Sequence, residues 1–141
     1  MTALMQLEDY TVSEIFFKVN ESLFGGAAPE SSDHNDEYDF ERNILCNDIK
    51  DKFIVRLLIC CNNREEKFDA NQFKFRLELR GIFSFTDEID EKQKDQLVSL
   101  NGISILYGIA RGIVSQATAN MPIGRLVLPT VNFSEHFKPQ G

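Results

Sequence analysis

Residues 72–85 read QFKFRLELRGIFSF, and the fold turns on them. Phe73, Phe75, Leu77, Leu79, Phe83 and Phe85 share one parity, while Gln72, Lys74, Arg76, Glu78 and Arg80 share the other. That period of two is a β-strand with one face packed and one face wet. Gly81 falls in phase with the apolar side, which predicts a bend or a close contact at that point. Immediately upstream, Lys52 to Cys61 (KFIVRLLICC) is apolar on both parities except at Arg56, the pattern of a strand covered on both faces. Asn62 to Glu66 between them reads as a polar turn. Glu37 to Asn47 alternates Tyr38, Phe40, Ile44 and Cys46 against Asp39, Glu41, Asn43 and Asn47, which predicts a half-buried strand. Tyr10 to Val19 (YTVSEIFFKV), rich in β-branched and aromatic residues, predicts a first strand. Residues 20–36 hold Gly25-Gly26, Pro29 and Ser31-Ser32 among acidic side chains and read as a flexible acidic loop. Four strands in this order predict an antiparallel meander.

The period changes after the last strand. Asp87 to Leu100 is charged and free of proline, with Ile89, Leu97 and Leu100 as its apolar anchors; it predicts a short helix. Asn101 is placed to cap the next segment. From Ile103 to Ala119, Leu106, Ile109, Ala110, Ile113, Val114 and Ala117 recur at helical spacing, and Pro122 closes that long helix. Leu126-Val127-Leu128-Pro129 then reads as an extended apolar segment. Strands followed by helices predict an α+β domain with both helices on one face of the sheet. At 141 residues the whole chain, 1–141, is read as one such domain.

Composition narrows function. The chain carries 22 acidic against 15 basic residues, a net charge of −7, which disfavours nucleic acid and anionic membrane as partners. No uninterrupted apolar run reaches the roughly 18 residues of a membrane span, and MTALMQLEDY lacks the build of a secretory signal. Three cysteines, two of them adjacent (Cys60 and Cys61), fit a reducing cytoplasm better than a disulfide framework. His34 and His136 have no cysteine or histidine at ligand spacing, so no metal is expected. Cys60-Cys61 inside an apolar strand reads as small buried hydrophobes rather than nucleophiles. The acidic runs Glu30 to Glu41 and Asp87 to Asp95 match no calcium loop, and the glycines form no phosphate-binding fingerprint. Neither catalysis nor a cofactor is expected.

The stretch from Gly102 to Phe137 resembles the helix and following loop of SecB, the protein-export chaperone family. The residues that carry the resemblance are Ile105-Leu106-Tyr107, Ala110-Arg111, Ile113-Val114-Ser115, Leu126-Val127-Leu128-Pro129 and Val131-Asn132-Phe133. Upstream, Phe75 to Ser84 is similar to the family's last strand with its Gly-Ile-Phe, and Ile15 to Lys18 faintly resembles its first. The resemblance implies a four-stranded antiparallel sheet with helices on one side, assembling as a dimer of dimers. It implies an ATP-independent chaperone, a holdase, that binds unfolded polypeptides or preproteins along apolar grooves and presents them to the export motor SecA. Acidic side chains dock that motor in the family; the aligned places here hold Lys18, Val19 and Arg76, and the family's second helix and acidic tail are mostly missing, so SecA docking is in doubt. Some relatives serve toxin–antitoxin systems, and that role stays open beside export.

Two other readings compete: a hot-dog-like enzyme, disfavoured because Ile103 to Ala119 carries no carboxylate, and a non-catalytic interaction module binding one folded partner at its sheet edge. The chaperone reading places client contacts around the long helix and the segment after it, on Ile103, Leu106, Tyr107, Leu126, Leu128, Val131, Phe133 and Phe137. It also expects a homo-oligomer, a tetramer, with Gly108 and Gly112 letting a second helix approach closely; the bland alternative is a long helix lying tight on its own sheet.

Overall fold

The computed structural model describes residues 5–21, 36–86, 89–121 and 124–133. Four strands form one antiparallel sheet: β1 (Met5–Val19), β2 (Tyr38–Cys46), β3 (Lys52–Cys61) and β4 (Phe73–Phe85). The α+β class holds, with one change to the meander. The order is β1-β4-β3-β2, so β2, β3 and β4 form the meander while β1 lies outside β4. That is Greek-key order, with the connection between β1 and β2 linking the two sheet edges. Phe17 of β1 stacks on Phe73 and Phe75 of β4, 5.7 Å between centroids in each case. These cross-strand ring pairs exist only if β1 takes the outer edge of β4.

β1 also starts earlier than its β-rich core suggests, at Met5 rather than Tyr10. Its 15 residues oppose the 13 of β4 through bulges between Leu7 and Asp9 and between Val12 and Glu14. Bulges of this kind twist an edge strand and make it a poor template for stray pairing. The β2–β3 turn is an asparagine turn: Asn47 Oδ1 accepts from the amides of Asp51 (3.1 Å) and Lys52 (3.2 Å), and Lys50 sits at φ 53°. The turn after β3 holds a short helix, α1 (Glu65–Ala70), that the polar composition hides. Buried Asn62 organises it. Its Nδ2 donates to the Phe73 carbonyl (3.0 Å) and to Asp36 (3.0 Å), and its Oδ1 accepts from the Glu37 amide (2.9 Å).

Downstream lie α2 (Glu91–Leu97) and α3 (Ile103–Thr118), the expected short and long helices. Asn101 does not cap α3. Residues Val98–Gly102 form a π-turn that makes the two helices one continuous run, and the cap is Asp90, which accepts from the Lys92 amide at 3.1 Å. A cap needs a non-helical backbone, and at this junction the chain stays helical. Arg42, on the inner face of β2, donates to the Ser99 carbonyl inside the π-turn at 2.6 Å. The run Glu91–Thr118 is long and apolar enough to cross a membrane, which the uninterrupted-run criterion did not register. Its apolar stripe instead packs on the sheet.

That stripe is Ile103, Leu106, Tyr107, Ala110 and Val114, all buried against the inner faces of β3 and β4. Gly81 makes the close contact its phase predicted: a Cβ there would lie 2.8 Å from Leu106 Cδ2. The Thr118 hydroxyl then turns the chain, donating to the Val114 carbonyl (2.8 Å) and accepting from the Leu126 amide (2.7 Å). Residues 124–132 carry no regular secondary structure, and Leu128 and Phe133 close the core.

Candidate functional site

The inner face of the sheet ends in an aromatic path. Ring contacts run from Phe17 through Phe73 and Phe75 to Tyr38, then to Phe40, Tyr107 and Phe133. Tyr107 and Phe133 meet edge to face at 5.1 Å, and Phe40 touches both at 5.9 and 5.7 Å. The Tyr107 hydroxyl donates to the Pro129 carbonyl, which ties the segment after α3 to the ring cluster. Burial pushes the Tyr107 and Tyr38 phenols above their ordinary values, so both stay neutral donors. Phe73, Phe75, Tyr107 and Phe133 are buried; Phe17, Tyr38, Phe40, Leu126 and Val131 are half-buried at the rim.

The expected client residues divide by depth. Ile103, Leu106, Tyr107, Leu128 and Phe133 are buried in the core of this chain. Ile103, Leu106 and Tyr107 belong to the α3 stripe that packs on β3 and β4, and Leu128 and Phe133 close the same core. Leu126 and Val131 are half-buried and remain available at the rim. Phe137 lies outside the described residues, as does most of the acidic loop 20–36. Tyr38 and Phe40, read from the sequence as the apolar face of a half-buried strand and not among the expected client contacts, are half-buried like Leu126 and Val131.

Gly108 and Gly112 are exposed, and a Cβ at either meets nothing within 4 Å. A helix lying tight on its own sheet at these glycines is therefore excluded; they face away from it. A second bare surface adjoins α3. Tyr10, Val12 and Ile15 pair with Gly81, Leu79 and Leu77 and so share the inner face, yet they are 46%, 39% and 53% exposed. The helix covers β3 and β4 and stops short of β1.

The outer face is charged and cross-linked. Arg56 grips Glu78 through Nε at 2.9 Å, Arg80 reaches the same carboxylate at 3.3 Å, and Arg76 pairs with Glu14 at 2.5 Å. The hydrogen bond from Arg56 holds the Glu78 carboxyl below the usual range. Beyond this ladder a shallow apolar row, Leu45, Ile54 and Ile82, lines a concavity of about 390 Å³ near the β2–β3 turn. Cys60 and Cys61 are buried and their thiols are pushed up, chiefly by burial, which leaves them poor nucleophiles. Among the described residues no group of three or more His, Cys, Asp and Glu is placed to hold a metal ion.

Comparison with known proteins decides the family. The model of the preprotein translocase subunit SecB family matches residues 11–141. The chain belongs to the SecB family. A protein of uncharacterised function from Methanocaldococcus jannaschii is 27% identical over 131 residues, spanning 91% of this chain and 79% of that one. Among solved structures, a SecB-like chaperone of Mycobacterium tuberculosis, determined with a ChAD peptide from the HigA1 antitoxin, superposes with a TM-score of 0.61. It is 18% identical, with 90% of each chain covered, so it speaks to the shared fold. The SecB-like architecture of four antiparallel strands with a long and a short helix is thereby established for this chain as well.

Proposed function

We propose that this SecB-family chain is an ATP-independent holdase, acting in the cytoplasm without a cofactor, that keeps polypeptides from folding or aggregating by holding extended apolar segments. The observation that carries the reading is the aromatic path whose rim, Tyr38, Phe40, Leu126 and Val131, is half-buried while its floor, Tyr107 and Phe133, is core. An unfolded chain offers apolar side chains in no fixed order, so its receptor gains from a long greasy strip rather than one shaped pocket. Each apolar side chain buried contributes roughly 1.5–3 kcal/mol before ordering costs, and several weak contacts along one client add through effective concentration. A net charge of −7 keeps such a surface soluble.

Clients of two kinds fit the same strip: preproteins bound for export, as the family name implies, and an antitoxin, as in the mycobacterial relative's complex. A homo-oligomer, a tetramer in this reading, is supported by the bare inner face of β1 and the exposed Gly108/Gly112 side of α3. Both would lie open to water in a monomer. The test is suppression of aggregation of a chemically denatured, unrelated protein. The parent should protect, and a Leu126→Asp/Val131→Asp variant should stay folded by circular dichroism yet lose protection. A folded variant that protects like the parent would place the client elsewhere, and a parent that protects nothing would end the holdase reading.

A further inference from the structure

One cation pair on the outer face breaks the charge pattern around it. Lys18 of β1 stands directly opposite Lys74 of β4. Like charges at directly opposed positions of an antiparallel pair cost stability. Both ammonium groups converge on one ring, 5.6 Å and 4.8 Å from the centroid of Phe68 in α1. The neighbouring outer-face arginines are each answered by a carboxylate: Arg76 by Glu14, Arg56 and Arg80 by Glu78. Among the described residues, no carboxylate forms an ion pair with Lys18 or Lys74. Phe16, two residues from Lys18 and on the same face, is 47% exposed.

We propose that Lys18, Lys74 and Phe68, with Phe16 beside them, dock a short acidic polypeptide segment that carries an aromatic or large apolar side chain. A carboxylate between the two ammonium groups would relieve their repulsion, and two charge-assisted contacts to one group are the strong kind. Phe68 and Phe16 offer the adjoining apolar surface. A long polyanion such as nucleic acid is disfavoured, because the next rows of the same face carry Glu14, Glu78, Glu41 and Asp39. This site lies on the opposite side of the sheet from the aromatic path and stands independently of the holdase reading.

The test is fluorescence anisotropy on the full chain with a fluorescein-labelled hexapeptide alternating glutamate and phenylalanine, against one alternating lysine and phenylalanine. The acidic peptide should bind more tightly, and its advantage should shrink as salt rises. Lys18→Glu should weaken it by roughly tenfold or more, the scale of lost charge-assisted contacts. Because the substitution places an acid opposite Lys74, urea stability should be unchanged or raised. Equal binding of both peptides, undiminished binding by Lys18→Glu, or a fall in its stability would each overturn the proposal. Lys18→Glu should still suppress aggregation, so failure here is distinct from failure of the holdase reading.

Discussion

The contact between Gly81 and Leu106 makes a quantitative test of how the long helix sits on the sheet. A Cβ at Gly81 would lie 2.8 Å from Leu106 Cδ2, 3.1 Å from Phe83 Cε2 and 3.3 Å from Leu7 Cδ1. Carbon atoms prefer a separation of about 3.5–4.0 Å, so Leu106 would have to retreat by roughly 1 Å. It has little room: Leu106 and Phe83 are both 0% exposed. Overpacking of this kind costs about 1–3 kcal/mol, offset by about 0.4–1 kcal/mol because alanine loses less chain entropy than glycine on folding. Gly81→Ala alone should therefore destabilise by about 1–2 kcal/mol. Leu106→Ala alone should cost about 2–5 kcal/mol as a large-to-small change at a buried site. Combined, the new methyl enters space the leucine has vacated, so the double variant should be more stable than additivity allows by about 1–3 kcal/mol. Urea unfolding of all four proteins, at one fixed protein concentration because assembly feeds into apparent stability, closes the cycle. Additivity within about 0.5 kcal/mol would mean that these side chains do not meet, and the register of α3 on β4 described here would be wrong.

Three further outcomes are expected. Glu78 is held below its ordinary carboxylate range by Arg56, so its contribution is present at neutral pH and is lost as pH falls through its folded-state value; Glu78→Gln should cost on the order of 1 kcal/mol at pH 7 and flatten the acid limb of a stability–pH profile, and an unchanged limb would refute the link. Cys46 is exposed while Cys60 and Cys61 are buried, so a native-state thiol titration should find one fast-reacting cysteine and two that respond only on unfolding; three fast thiols would contradict the packing of β3. Gly108→Leu points into open space within the protomer, so it should leave the fold intact but lower the mass seen by light scattering; an unchanged oligomer would remove α3 from the interface.

The sequence by itself determined whatever depends on the period of side chains along one segment. The bounds of β3 match the apolar run Lys52–Cys61, α3 begins at Ile103, and Gly81 was marked for close approach by its phase alone. Alternation and helical spacing are properties of local backbone geometry, so they are written in neighbouring residues. The short helix α1 escaped because six residues, EEKFDA, carry too few apolar positions to show a period. Tertiary structure alone decided the rest. That β1 borders β4 depends on cross-strand matches such as Phe17 with Phe73, between residues far apart in sequence. That Asn101 stays helical depends on the run continuing across the sheet, with Arg42 of a distant strand bonded into the π-turn. The division of the aromatic and aliphatic residues into floor and rim was likewise out of reach: Leu126 and Leu128 look alike in sequence, and only the path of the segment past Thr118 and Tyr107 makes one half-exposed and buries the other. Burial belongs to the assembled surface, and no single segment contains it.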